Sequence, residues 1–270
     1  MNIVEIRGVR FSKVVCGSNP FYGHSHFSEA RNREYINRFD DAYIINTIKF
    51  CISKGVNTIE SSANERIWEI IAKLRLENVL NYIGTTRIDE TSPMKSHQEK
   101  LKFLLDVRAD VCVIHSQFVD RPREQGDIKG LEQLIDQIHG QNLLAGISTH
   151  RVSTVELCEK KNYGIDLYLF PLNLAGFVNP WYEGNEPAKE RVQLIRSTDK
   201  PFVVMKSLAS GRIPPQEGLS FVLESIKETD LITLGIGSVE EAAESIEIVE
   251  KYLQKDAQRA NASSVGAGSS

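Results

Sequence analysis

Residues 110–115 read Asp110-Val111-Cys112-Val113-Ile114-His115, with four apolar residues between an aspartate and a histidine. A short apolar run of this kind is typical of a strand buried in a parallel sheet. The hydrophobic periodicity predicts a helix over residues 96–107 before the run and another over residues 129–139 after it. A strand between two helices predicts a parallel sheet with helices packed on it.

The same unit repeats outward from this strand in both directions. The other apolar runs lie at residues 13–17, 56–60, 82–86, 143–148, 167–170, 202–206 and 232–237, and a helical pattern follows each. Eight strands in alternation with eight helices predict an α/β fold, the closed TIM (β/α)8 barrel, rather than an open sheet. Residues 3–7 and 10–16, around Gly8, predict an N-terminal β-hairpin.

The chain is predicted to form a single barrel domain over residues 1–254. Its 270 residues and 41% hydrophobic content fit one barrel-sized unit better than two small ones. Residues 18–40 are interpreted as a long polar and aromatic loop. The last helix is expected over residues 239–254, and the Ala/Asn/Ser/Gly-rich residues 255–270 predict a flexible, disordered C-terminal tail.

Composition and charge narrow the classes of partner. A net charge of −4 gives no electrostatic reason to expect nucleic acid or an anionic membrane. The N-terminus lacks the apolar core of a signal peptide, and no apolar run reaches the length of a membrane span. The four cysteines have no Cys-x-x-Cys spacing, which indicates reduced, buried thiols. We therefore expect a cytoplasmic protein that binds a small molecule, and its oligomeric state stays open.

Several strand ends resemble those of the aldo-keto reductase superfamily. The matching stretches are Gly55-Val56-Asn57-Thr58-Ile59-Glu60-Ser61-Ser62, the run ending in His115, Gly146-Ile147-Ser148-Thr149, Met205-Lys206-Ser207-Leu208 and Gly235-Ile236-Gly237-Ser238. Their order and spacing carry the resemblance, which covers most of residues 12–253. It implies a (β/α)8 barrel that reduces carbonyl groups with a nicotinamide cofactor and an Asp-Tyr-Lys-His tetrad.

The tetrad that the resemblance implies is degenerate in this chain. Glu60 matches the aspartate of the family and His115 matches its histidine. The tyrosine is missing, because none occurs in Ser61-Ser62-Ala63-Asn64-Glu65. The position of the lysine falls on Thr86 or Arg87, and an arginine stays protonated and cannot readily tune an acidic phenol. The chain is thus expected to have the family's barrel without its reductase chemistry.

The last strand–helix turn gives mixed signals about a nicotinamide cofactor. The glycine-containing run that ends at Ser238 opens a helix, so its N–H groups suit a phosphate. Glu240 and Glu241 follow where members that use NADP carry basic residues, and their charges would repel a ribose phosphate. NAD(P) is therefore less expected than in the family, and Ser238 is predicted to contact substrate.

Four of the six histidines follow the ends of predicted strands: His24, His26, His115 and His150. Strand ends meet at the C-terminal face of such a barrel, where Glu60 also lies. Imidazoles and a carboxylate at one place suit a divalent metal such as zinc, manganese, iron or cobalt, so these five residues are predicted metal ligands. The alternative for each histidine is a packing or hydrogen-bonding role. His97 and His139 fall on outer helices and are expected to be solvated.

Other polar and aromatic residues near strand ends are candidates for catalysis and substrate binding. Lys206 ends the seventh strand, where lost solvation lowers a lysine pKa and permits base or Schiff-base chemistry; the alternative is a solvated or anion-pairing lysine. Arg87 suits a substrate carboxylate or phosphate. The predicted substrate-binding residues are Asn19, Tyr22, Gln117, His150, Asn173, Trp181 and Ser238. Tyr22 and Trp181 are suited either to stacking on a sugar ring or to covering the barrel end.

These residues support three hypotheses about function. The first is an enzyme that transfers protons on a polyhydroxylated or oxo compound, as a lyase, epimerase or isomerase, with metal assistance. In it Glu60, His115 or Lys206 moves the proton. The second is an NAD(P)-dependent oxidoreductase with a rearranged proton donor. The third is a non-catalytic binding protein on an inactivated barrel, which the clustered histidines disfavour.

Overall fold

The computed structural model describes residues 1–89, 92–120, 127–176 and 186–266, with no side chains beyond residue 258. The chain begins with a hairpin of two antiparallel strands, β1 (Ile3–Ile6) and β2 (Val9–Ser12). Between them Arg7 and Gly8 both have positive φ, as a two-residue hairpin turn requires. The predicted N-terminal hairpin is confirmed.

Eight parallel strands close into a barrel in the order β10-β3-β4-β5-β6-β7-β8-β9. The strands are β3 (Val14–Gly17), β4 (Thr58–Ser62), β5 (Asn81–Thr85), β6 (Val111–Ile114), β7 (Leu144–Ser148), β8 (Leu167–Pro171), β9 (Phe202–Met205) and β10 (Leu231–Gly235). Pairing of β10 with both β3 and β9 leaves no open edge. The predicted TIM (β/α)8 barrel is therefore confirmed.

Helices surround the barrel, and most lie where the periodicity places them. They are α1 (Glu29–Arg38), α2 (Asp41–Ser53), α3 (Glu65–Arg75), α4 (His97–Asp106), α5 (Ser116–Val119), α6 (Leu131–His139), α7 (Val152–Lys161), α8 (Ala188–Ser197), α9 (Pro215–Ser225) and α10 (Val239–Gly266). In the described part of the chain, none of them is both long enough and apolar enough to cross a membrane.

Two regions differ from the prediction. The segment interpreted as a loop over residues 18–40 contains a 3-10 turn (Asn19–Tyr22) and helix α1, whose first turn is capped by the Ser28 hydroxyl. The mostly polar composition of α1 hid its periodicity. The last helix, expected to end near residue 254, extends to Gly266, since the alanines of this segment favour helix.

Two apolar cores lie on opposite sides of the strands. Alternate residues of a strand face opposite sides, so Ile59 packs in the core under the helices while its neighbour Glu60 faces the barrel interior. Glu60 is in register with Ile83, which belongs to the interior core. Phe11 of the hairpin is fully buried in that core and closes the N-terminal end of the barrel. The four cysteines are buried and free.

Candidate functional site

Glu60 lies on β4 and faces the open, C-terminal end of the barrel interior, which we call the mouth. Burial raises the pKa of its carboxyl to about 7, against the opposing effects of the Arg87 charge and the Thr233 hydroxyl. A carboxyl with such a pKa exchanges its proton near neutral pH, as a general base or acid requires. The structure thus gives the predicted catalytic carboxylate a suitable environment.

Arg87 follows β5 at the mouth, and its main chain is held from both sides. The Ser62 hydroxyl donates to the Arg87 carbonyl at 3.2 Å. The Gln117 side chain bonds both main-chain groups of Ile88, accepting from its N–H at 2.8 Å and donating to its carbonyl at 3.0 Å. Gln117 was predicted to recognise substrate hydroxyls, but these bonds to a neighbouring loop give its amide a positioning role.

His115 ends β6 and caps the short helix α5. Its Nδ1 lies 3.1 Å from Oε1 of Gln117 and 3.3 Å from the Gln117 main-chain nitrogen. Burial and then the Arg87 charge lower the pKa of His115 to about 3, so the imidazole is neutral at physiological pH. Since both hydrogen-bond contacts involve Nδ1, Nε2 is the ring nitrogen left for a ligand.

Lys206 directly follows β9 with φ of 63°, in the left-handed region that a lysine seldom adopts. Burial, followed by the Arg87 charge, lowers the pKa of its ammonium to about 8. The Asn173 amide donates to the Lys206 carbonyl at 3.2 Å, and its oxygen accepts from the Ala175 N–H at 3.0 Å. Asn173, predicted to bind substrate, thus holds the Lys206 backbone through its amide.

The loop after β3 brings an aromatic side chain and two histidines to the mouth. The Tyr22 hydroxyl lies 2.6 Å from the Ser61 hydroxyl of β4, and burial raises the pKa of this phenol. His24 is half-buried, with its ring 6.3 Å from that of Tyr22. His26 is exposed and has φ of 55°. Asn19 is exposed at the first residue of the 3-10 turn.

The predicted metal site of His24, His26, Glu60, His115 and His150 is not formed. Among the residues that the structure describes, no three His, Cys, Asp or Glu side chains lie close enough to hold one ion. His150 shows why: it is buried at the end of β7 with Nδ1 3.8 Å from Asp120, and burial followed by the Lys206 charge lowers its pKa well below the usual value. The five residues were all predicted to lie at the mouth, but their side chains do not come together at one point.

Side chains and main-chain groups of the protein make hydrogen bonds to the last strand–helix turn. The Gly237 N–H donates to the Glu241 carboxylate at 2.9 Å, and the Ser238 hydroxyl accepts from the Glu241 N–H at 3.2 Å. Arg38 of α1 donates to the Gly237 carbonyl at 3.2 Å. Ser238, predicted to contact substrate, therefore caps α10. The Glu241 carboxylate thus occupies the Gly237 N–H, one of the donors that a dinucleotide phosphate would use in this turn.

Two buried groups near the mouth were not predicted. Lys100 of α4 is fully buried, with Nζ 2.7 Å from the Ala63 carbonyl and 3.6 Å from Asp89. His97, expected to be solvated, is buried with Nδ1 2.8 Å from the Thr86 carbonyl. A lysine or histidine on an amphipathic helix carries no local sign that it turns inward. Trp181 lies outside the described residues.

Comparisons with known proteins agree on the fold. No protein-family model matches the chain, and no curated protein matches it. Solved structures do match, several of them enzymes by name, and the eight parallel strands of this chain define its class as a (β/α)8 barrel. Within that class, the chain has an aldo-keto-reductase-like barrel.

Three solved structures illustrate the likeness. An aldo-keto reductase from Bacillus halodurans, in its holo form, matches with a TM-score of 0.65 and 12% identity over 93% of this chain and 91% of its own. A glycerol dehydrogenase from Gluconobacter oxydans matches at 0.63 and 12% identity over 91% and 89% of the two chains. An N-acetylmannosamine-6-phosphate 2-epimerase from Clostridium perfringens matches at 0.54 and 16% identity over 89% and 91%. At these identities the likeness concerns the fold alone.

Proposed function

We propose that the protein is an enzyme that transfers a proton on a polyhydroxylated or oxo small molecule, as a lyase, epimerase or isomerase. The observation that carries this proposal is the Glu60 carboxyl at the mouth, whose pKa burial raises to about 7. A base with this pKa is effective on a carbon acid at physiological pH. The charges of Arg87 and Lys206 would stabilise the enediolate that forms when the proton leaves.

The neutral imidazole of His115 complements this assignment. Because its pKa lies far below neutrality, the ring is available at Nε2 to give or accept a hydrogen bond at a substrate oxygen. The epimerase among the structural relatives is consistent with proton transfer on a barrel of this kind. That relative and the reductases share only the fold with this chain, so the proposal depends on the residues at the mouth.

Solvent deuterium exchange tests the proposal without a known product. Polyhydroxylated and oxo compounds are incubated with the protein in deuterated water, and loss of carbon-bound hydrogen is followed by proton NMR. The protein should exchange a hydrogen next to a carbonyl in at least one compound. Glu60→Gln should slow this exchange at least about a hundredfold, the usual contribution of a general base. Equal exchange by both proteins would refute the role of Glu60.

One observation favours a second candidate, an NAD(P)-dependent oxidoreductase with a rearranged proton donor. The Tyr22 phenol reaches β4 from a different loop and lies beside Ser61, next to Glu60. It would replace the tyrosine that is missing after Glu60. Oxidation of NADH or NADPH in the presence of an aldehyde panel, abolished by Tyr22→Phe, would favour this candidate. If the protein catalyses neither deuterium exchange nor cofactor oxidation, the hypothesis of a non-catalytic binding protein remains.

A further inference from the structure

The side chain of Arg87 contrasts with its well-held main chain. Hydrogen bonds from Ser62, and from Gln117 to the next residue, fix the backbone where Arg87 leaves β5. The side chain is partly buried, yet among the described residues its guanidinium donates no hydrogen bond and forms no ion pair. A partly desolvated charge is costly without partners, so the site is built to place this group against something else.

The charged and titratable groups near Arg87 include the cations Lys206 and Lys100, two imidazoles, and the carboxyls of Asp89 and Glu60. Lys206 is close enough for the Arg87 charge to lower its pKa, and Arg87 likewise lowers the pKa values of His24 and His115. These groups come from the ends of β9, β3 and β6, so they surround Arg87 from several sides of the mouth. Among these neighbours the Lys206 ammonium repels the Arg87 guanidinium, so an anionic group of a ligand placed beside both would reduce this repulsion.

The Glu60 carboxylate is not the counter-anion of Arg87. It belongs to the same mouth, and the Arg87 charge lowers the pKa of its carboxyl, but burial dominates and leaves that pKa near neutrality. No ion pair joins the two side chains among the described residues, although both are partly buried. Glu60 therefore does not occupy the guanidinium of Arg87, which stays available to a ligand at the mouth.

We propose that the ligand of the mouth carries an anionic group, a carboxylate or a phosphate, and that Arg87 and Lys206 bind this group beside Glu60. The planar fork of a guanidinium matches two oxygens of either group. The inference rests on the proposed function for one point only, which is that Glu60 then acts on a carbon near the bound anion. Anion binding itself does not depend on proton transfer.

Calorimetric titration with sodium sulfate and with sodium acetate, at constant ionic strength, tests the site. The protein should bind one of these anions in a saturable manner with one site per chain. Arg87→Gln should weaken binding at least about tenfold, as expected for a lost hydrogen bond between charged groups. Tighter binding of sulfate would identify a phosphate ligand, and tighter binding of acetate a carboxylate ligand.

A matched variant controls for the general loss of positive charge. Arg33 lies on α1 and is exposed, so Arg33→Gln removes the same charge away from the mouth and should leave the affinity unchanged. Equal weakening by the two variants, or no saturable binding of either anion, would overturn the proposal. If circular dichroism shows that Arg87→Gln does not fold, Arg87→Lys and Lys206→Gln replace it, and unchanged affinity in both would also overturn it.

Glu60→Gln separates this inference from the proposed function. It should bind the anion at least as tightly as the unaltered protein, because a nearby negative charge is removed, while losing deuterium exchange. Anion binding without exchange in any compound would leave the anion site standing and remove the proton-transfer function. If the protein exchanges hydrogen only in neutral compounds and binds no anion, the proton-transfer function stands and the anion site is refuted.

Discussion

Lys206 and Glu60 titrate near neutrality, so anion binding at the mouth should depend on pH. Above about pH 7 Glu60 becomes negative, and above about pH 8 Lys206 loses its charge, as burial shifts both pKa values. Both changes disfavour an anion. The facing imidazoles, His24, His26, His115 and His150, have lowered pKa values and stay neutral over this range.

Sulfate suits this measurement because it does not titrate in the range. Its affinity should fall roughly tenfold or more between about pH 6 and about pH 9, since each tenfold step corresponds to one pKa unit of coupling. Calorimetry at several pH values measures the fall. Glu60→Gln should remove its lower part and leave the part due to Lys206. Affinity that rises with pH would contradict the charge assignments.

The backbone at Lys206 gives a stability prediction. Its left-handed φ of 63° favours glycine over residues with a Cβ. Lys206→Gly should therefore be more stable than Lys206→Ala by about 0.5–1 kcal/mol, measured by urea unfolding. Both variants lack the ammonium, so both should lose sulfate affinity equally. Greater stability of the alanine variant would mean that this conformation is not retained in solution.

For single residues, the sequence indicates which side chains lie near the mouth but not which groups they contact. Glu60, Arg87, His115 and Lys206 were found because each ends a strand, and strand ends share one face of a barrel. The partners of Gln117 and Asn173 come from other loops, and a hydrogen bond between loops has no sequence spacing to reveal it. The predicted metal ligands show the same limit: no three described His, Cys, Asp or Glu side chains lie close enough to share an ion, since position at the mouth does not determine where an imidazole points.

Among the helices, the first turn of α10 is stabilised by the Glu241 side chain. Its carboxylate accepts from the N–H of Gly237, which lies two residues before the helix begins, and so ties the entering chain to the first turn. Glu241→Ala should lower the free energy of unfolding by about 0.5–2 kcal/mol, as other helix-capping losses do. Glu244→Ala is the control, because Glu244 lies exposed on the same helix. Equal effects of the two variants would show that the Gly237 contact contributes nothing.

The same turn predicts weak nicotinamide binding. The Gly237 N–H binds the Glu241 carboxylate and the Gly237 carbonyl accepts from Arg38, so a phosphate at this turn would meet a negative charge and lose one donor. A fluorescence titration with NADPH should therefore show no low-micromolar binding, and steady-state assays should show no ordinary aldehyde reduction. Low-micromolar binding would mean that the cofactor lies elsewhere or displaces Glu241.

Helix α1 shows what limits prediction of elements. Its residues are mostly polar and only Tyr35 is buried, so no apolar stripe marks it in the sequence. Helices such as α3, by contrast, bury Ile67, Ile70, Ile71 and Leu74 at helical spacing and were recognised. Periodicity reveals elements that face a core, and α1 lies over the strand ends instead.

For the whole molecule, the alternation of strand and helix was sufficient to predict the barrel. Eight repeats with buried strands admit few arrangements, since crossover connections keep neighbours adjacent and right-handed. The hairpin was predicted as an element, but its packing against the barrel interior was not. Phe11 shows this: its sequence position gives no sign that it enters the core of strands far along the chain.

Phe11→Ala should destabilise the molecule by about 3–5 kcal/mol, because it leaves a cavity in a fully buried site. Thermal or urea unfolding measures the loss. Phe27→Ala makes the same change at a residue that is 53% exposed, and should cost below about 1 kcal/mol. Similar losses in both variants would mean that the hairpin does not close the barrel.

The hairpin also has a kinetic consequence. Phe11 and its neighbours in the interior core close one end of the barrel, so among the described residues the mouth is the way in to Glu60 for a reactant and the way out for a product. Bound product therefore blocks the entry of new substrate. Once a substrate is identified, its product should act as a competitive inhibitor, raising the apparent KM without changing the maximal rate.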